Sequence, residues 1–274
     1  MAWVHEMGGD VRYDYDGRYV RPVAEPPGPS WLRALLGLDF LSDVIEVGCD
    51  GLLDSADVSP LAGLPDLRTL TLSHTRVSDL TPLTKLNNLE YLTLNKTSIS
   101  DLTPLADLQN LWFLHLTETS VTDLSPLAGL SNLAYLYLDK TPVRDITPLA
   151  TLKNLENFSV SETSVSDLTG LAKLTNLTDF DLSETQVSDL TPLASVTNLE
   201  SLELWGTSVS DLTPLARLKK LEALGLSDTQ VSDLTPLASL TNLVELWLND
   251  SRVNDLTPVP GSRSWSSTIR KSAI

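Results

Sequence analysis

The stretch Thr207–Leu248, TSVSDLTPLARLKKLEALGLSDTQVSDLTPLASLTNLVELWL, contains VSDLTPLA twice, the second copy 22 residues after the first. The same interval runs through most of the chain. Units begin at Leu67, Leu89, Leu111, Leu133, Leu155, Leu177, Leu199, Leu221 and Leu243, with no insertion between them. Their common form is L-x-x-L-x-L-x-x-T-x-V-S-D-L-T-P-L-A-x-L-x-N. A fixed period of this length marks a solenoid, in which each unit makes one coil.

Each coil can be read physically. The L-x-L alternation is a short strand with its leucines inward. Thr and Pro of TPLA suit a helix N-cap followed by the first helical position. Positions 1, 4, 6, 11, 14, 17 and 20 of the unit are apolar and supply the core. Seven apolar side chains cannot offset the ordering of 22 residues in one isolated coil, so stacking is obligatory and both ends need covering. The expected fold is a leucine-rich repeat solenoid: a strand, a bend and a turn of tight helix per coil, stacked to give a parallel sheet on one face, with an N-terminal helical cap.

The remaining segments follow from this frame. Residues 1–26 read as a hairpin-like segment, with VRYDYDGRYV turning on Asp16-Gly17. Residues 27–44 read as an amphipathic cap helix, with Ser30 as N-cap and Trp31, Leu32, Leu35 and Leu36 as its apolar stripe. Residues 45–66 form a degenerate capping repeat, with Ile45 and Val47 in its strand, rejoining the register at Asp57, Pro60 and Leu61. Nine repeats span 67–258, the last incomplete. Residues 259–274 are a C-terminal tail, in which Trp265 could lie across the last coil.

The repeat unit resembles the 22-residue repeat of the bacterial internalin family, over about residues 45–258. The resemblance implies a right-handed horseshoe of β and 3-10 segments, with the parallel sheet on its concave face, where it binds a protein partner, often through exposed aromatic residues. The N-terminal GGDVRYDYDG and EPPGPSWLRALLG stretches are similar, less closely, to the leader of internalin-like proteins.

Bulk properties narrow the partners. The formal net charge of −17 opposes binding to nucleic acid phosphates and to anionic membrane surfaces. No apolar run reaches the length of a spanning helix. Cys49 is the one cysteine, which excludes an intramolecular disulfide. The opening MAWVHEMGGDVRYDYDG has no basic start and no apolar core of signal-peptide length. The expected location is therefore the cytoplasm, or the cell surface or exterior if translation starts further upstream.

Asp occupies position 13 in all nine units, from Asp79 to Asp255. Carboxylates stacked at about 5 Å repel one another. The first reading is that each caps a backbone N–H of the following turn; the second is a bound cation such as calcium, although one carboxylate per coil is few for that ion. The Thr column from Thr75 to Thr229, continued by Ser251, reads as a hydroxyl ladder satisfying buried backbone. Gly170 replaces the Pro found at position 16 in the other eight units, and a slight change of curvature or a soft point is expected near it.

Positions 2, 3, 5 and 7 flank the strand leucines. Phe158 and Phe180 occupy core position 4. The other aromatics of the repeats are Tyr91, Trp112, Phe113, Tyr135, Tyr137, Trp205 and Trp247, all at those flanking positions. Two partner-binding groups are expected. Tyr91, Phe113, His115, Tyr135 and Tyr137 would form a contiguous aromatic patch. Asp179, Asp181, Glu203, Trp205, Glu245 and Trp247 would form an acidic flank suited to a partner carrying Lys or Arg. Strand propensity alone would also favour aromatics there.

No catalytic constellation is found. His5, His74 and His115 are not placed to share a metal with Cys49, and no phosphate loop, dinucleotide fingerprint or nucleophile elbow occurs. The expectation is a non-catalytic protein-binding scaffold without cofactor or metal, monomeric or weakly self-associating. Two alternatives are a carbohydrate-binding or adhesion protein at the cell surface and a self-associating structural scaffold.

Overall fold

The computed structural model describes residues 10–13, 44–51, 57–260 and 269–270. The chain divides into two compact units, residues 1–133 and 134–274, each a stack of the same coil. The first holds β1 (Asp10–Tyr13), β2 (Val44–Gly48), β3 (Thr69–Thr71), β4 (Tyr91–Thr93) and β5 (Phe113–His115). The second holds β6 (Tyr135–Tyr137), β7 (Asn157–Ser159), β8 (Asp179–Asp181), β9 (Ser201–Glu203), β10 (Ala223–Gly225), β11 (Glu245–Trp247) and β12 (Ile269–Arg270).

The 22-residue period sets the register. Within each unit the repeat strands pair in parallel with their counterparts one coil on: Leu70 with Leu92 and Leu92 with Leu114 in the first, Phe158 with Phe180 and Leu202 with Leu224 in the second. Positions 4 and 6 point into the core and position 5 points out, as period-2 alternation requires. The seven apolar positions are buried in coil after coil. Phe158 and Phe180 stack inside the core with ring centroids 5.3 Å apart. Leu256 is only half-buried, because it belongs to the last coil.

The bend after each strand is held by the Thr column. Thr75, Thr97 and Thr119 donate their hydroxyls to Leu72, Leu94 and Leu116 carbonyls at 2.6–2.7 Å. Thr141 through Thr229 do the same in the second unit, and Ser251 donates to Leu248. The bend also has a feature not expected from the sequence. Position 8 is left-handed in every repeat, from His74 (φ 60) to Asp250 (φ 56), and only Gly206 (φ 68) is a glycine there. An L-residue in this region costs about 1–2 kcal/mol, and eight of the nine repeats carry one. The bend is fixed by its neighbours: His74 donates its backbone N–H to Asn95 O, one coil on.

A 3-10 turn follows, such as Thr81–Leu83 and Thr213–Arg217. Thr is its first residue rather than its N-cap, which corrects the expected role. The cap position falls on Leu80 or Leu212, whose side chain points inward and caps nothing. The acceptor comes instead from the Asp one residue earlier: Asp79 Oδ1 takes the Thr81 N–H at 2.8 Å, and Asp211 takes that of Thr213. Position 22 closes the coil. Asn110 and Asn198 donate their amides to Asn87 and Thr175 carbonyls of the preceding coil. At Gly170 the 3-10 turn Thr169–Lys173 is retained, and an added Cβ would lie 3.0 Å from Thr147 Cα. The missing side chain permits a close backbone approach.

At the N-terminal side, β1 pairs antiparallel with β2, Val11 opposite Val47. The strand expected in a local hairpin thus has β2 as its partner among the described residues. Asp16, Gly17 and residues 27–43 of the expected cap helix lie outside the described residues. Val44, assigned by sequence to the end of that helix, instead opens β2, where its β-branched side chain is buried. Ser59 N–H binds Asp57 Oδ1, so the capping repeat enters the common pattern where expected. In the tail, β12 adds in parallel to β11, Leu246 beside Ile269; Trp265 lies outside the described residues.

Candidate partner-binding surface

Alternation along each strand turns positions 3, 5 and 7 away from the leucine core. In the first unit these columns carry an aromatic cluster. Tyr91 and Phe113, neighbours in register, stack with centroids 4.1 Å apart and planes 12° apart. Trp112 meets both edge-on, at 6.1 and 5.8 Å. His115 stands edge-on to Phe113 at 6.5 Å, its Nε2 2.9 Å from Thr117 Oγ1. Burial, then the Asp50 charge, raise the Tyr91 phenol above its ordinary pKa. Tyr91, Phe113 and His115 are therefore brought together as expected. Trp112, left out of the expected site, belongs to this cluster and is 40% exposed. Its position 2, at the strand margin, gave no sign of which way the indole would turn.

In the second unit, Tyr135 and Tyr137 lie on β6 beside Asn157 and Ser159 of β7. Beyond them the outward columns turn acidic. Asp139, Asp179, Asp181, Glu203 and Glu245 occupy positions 3, 5 or 7, and no Lys or Arg does so from Tyr135 to Asn249. Most of these acids have donors. Asp139 Oδ1 accepts the Ser161 N–H and hydroxyl at 3.0 and 2.8 Å and the Ser159 hydroxyl. Asp179 accepts the Thr178 hydroxyl, and Asp181 the Ser183 N–H, both at 2.8 Å. Tyr137, Asp139, Asp179, Asp181 and Glu203 border a shallow depression of about 290 Å³. A larger one of about 600 Å³ lies between Trp205 and Trp247, above Gly225. Trp205 is 45% exposed.

The opposite, turn side of each coil is uniform. The hydroxyl and backbone N–H of the following Thr hold the Asp79, Asp101, Asp189, Asp211 and Asp233 carboxyls below their ordinary pKa; Ser125 does so for Asp123. That is the capping reading of the Asp column. Among the described residues, no group of three or more His, Cys, Asp or Glu could hold a metal ion. No helix there is long and apolar enough to cross a membrane.

Comparison with known proteins agrees with this architecture. The family model for the leucine-rich repeat region matches residues 52–259. The structure of an internalin (InlF) from Listeria monocytogenes is similar at TM-score 0.74 and 30% identity, over 81% of this chain and 72% of that one. Internalin C2 from the same organism matches at TM-score 0.64 and 32% identity, over 69% of this chain and 83% of that one. A plant peptide hormone receptor, RGFR1, shares the fold alone, at TM-score 0.62 and 18% identity over 78% of this chain and 37% of that one. No curated protein matches the chain. The chain belongs to the bacterial internalin family of leucine-rich repeat proteins.

Proposed function

We propose that this protein is a non-catalytic scaffold that holds a protein partner on the outward face of its strands. The observation that carries this is the stacked Tyr91–Phe113 pair with Trp112 and His115 against it, apolar surface left facing solvent by the sheet. Aromatic groups of this kind are the usual anchors of protein interfaces. A plant peptide hormone receptor that shares the fold was solved in complex with RGF2. The acidic columns of the second unit favour a partner with basic residues at its interface. A cytoplasmic location fits a chain with a single cysteine, Cys49, and is part of the proposal.

Affinity capture from native lysate tests it, comparing wild type with a Tyr91→Ser, Phe113→Ser variant shown by circular dichroism to fold. A protein held by wild type and lost by the variant is the expected result. Equal retention would move the interface away from the first unit's cluster, and capture of nothing would count against the scaffold reading.

A further inference from the structure

The column at position 5 of the second unit reads Asp181, Glu203, Gly225, Trp247, each beside the next in strand register. Gly225 leaves a gap one side chain wide between a carboxylate and an indole. Glu203 leans into that gap: a Cβ built on Gly225 would fall 1.7 Å from Glu203 Oε2. Trp205, two residues along from Glu203, stands on the other side of the same depression.

Glu203 differs from the acids around it. Asp139, Asp179 and Asp181 each accept hydrogen bonds from nearby Ser or Thr residues. The half-buried Glu203 carboxylate has no hydrogen-bond or ion-pair partner among the described residues. Burial, then the Asp181 and Glu245 charges, push its pKa up to about 7. No basic residue lines the depression, and Asp181 and Asp250 line it as well. A partly desolvated carboxylate without a donor is expensive, and two indole faces beside it attract cations. A flat cation satisfies both at once, because a guanidinium stacks on an aromatic plane while its N–H groups bind a carboxylate in a fork.

We propose that the depression over Gly225 is a seat for one arginine side chain of a protein partner, stacked between Trp205 and Trp247 with Glu203 as its counter-ion. This rests on the reading of the outward strand face as the protein-binding surface, and gives that surface a residue-level preference. The seat binds the ionised form of Glu203, so binding releases a proton near neutral pH. The acids facing Glu203 are Asp181 on β8 and Glu245 on β11, and Asp250 lines the same depression.

The test uses the full chain and three blocked tripeptides, glycine–X–glycine, with arginine, lysine or citrulline at the centre. Citrulline keeps the shape of arginine and removes its charge. Binding is read from the indole N–H signals of Trp205 and Trp247 in proton–nitrogen correlation spectra, assigned with Trp205→Phe and Trp247→Phe variants. The expected result is that the arginine peptide shifts both signals, with lysine weaker and citrulline silent. Affinity for the arginine peptide should rise about tenfold from pH 6 to pH 8, as a carboxylate titrating near 7 ionises, and this rise should vanish in Glu203→Gln. Citrulline binding as well as arginine would overturn the seat, as would unmoved Trp205 and Trp247 signals or unchanged affinity in Glu203→Gln. If the lysate partner is still captured through the Tyr91–Phe113 cluster while the peptide leaves both indoles unmoved, the seat falls and the scaffold reading stands.

Discussion

Asp211 and Glu203 stand eight residues apart in one coil, and their carboxyls are shifted in opposite directions. Asp211 lies on the turn side, where the Thr213 hydroxyl and backbone N–H hold its pKa below the ordinary value. Glu203 lies on the strand side, where burial and neighbouring acids raise its pKa to about 7. The turn side repeats in every coil and satisfies its polar groups with its own backbone. The strand side changes from coil to coil and, at Glu203, leaves a charge without a donor. Groups that the fold has satisfied hold the coil; groups it leaves unsatisfied are available to something else.

The largest effect that separates the two sides is expected at the bend. Thr229 is buried and donates to Leu226 O. Thr229→Val keeps the shape and orphans that carbonyl, so stability should fall by about 1–3 kcal/mol, measured by urea unfolding. A loss no larger than that of a surface substitution would remove the distinction between the sides.

A gain of about 1 kcal/mol is expected from His74→Gly, which relieves a left-handed residue on an exposed position. Thermal unfolding should show a higher midpoint. An unchanged midpoint would mean that the bend is not strained in the way its φ of 60 implies.

The pH response sharpens the comparison further. The Asp caps have lowered pKa values, so their stabilisation is complete above about 3.8 and is lost as pH falls below it. Glu203 has the opposite sign. The folded state holds its proton between about 4.5 and about 7 while the unfolded state does not, so its contribution weakens stability as pH rises through that window. Glu203→Gln should flatten the decline between pH 5 and 7.5 and leave the acid limb untouched. The effect is modest because the carboxylate is part-solvated; an unaltered decline in the variant would place its source elsewhere.

The smallest stability change is expected at the exposed Trp205. Trp205→Ser should stay within about 0.5 kcal/mol of wild type. A larger loss would make this indole a part of the fold rather than of the binding face.

Most of the fold was legible because stacking forces every coil to repeat the same solution. Leu70, Leu92 and Leu114 could be aligned, and the core followed from them. The left-handed bend was not legible. Glycine or asparagine usually signals such a backbone, and this chain writes Lys96, Glu118 or Asp228 there instead, leaving Gly206 as the lone hint. The role of Thr81 was misread because the capping oxygen belongs to Asp79, two residues before it. The strand Ile269–Arg270 carries no repeat pattern at all. At the candidate site, Tyr91, Phe113 and His115 were found by their columns, whereas Trp112 at the strand margin was not. Gly225 was passed over because a glycine in a strand reads as an absence, and its meaning depends on Glu203 and Trp247 one coil to either side.

The two terminal strands bear on a hazard common to every solenoid of identical coils. An open strand edge invites another molecule to continue the stack, and the product is a fibre. In the first unit, β1 covers β2 by antiparallel pairing. In the second unit, β12 pairs with Leu246 and Trp247 of β11, so that strand's edge is met by this chain's own backbone. In both units, the strand that meets the repeats comes from the part of the sequence that looks least like the rest, and an edge it covers is closed to a strand of another molecule.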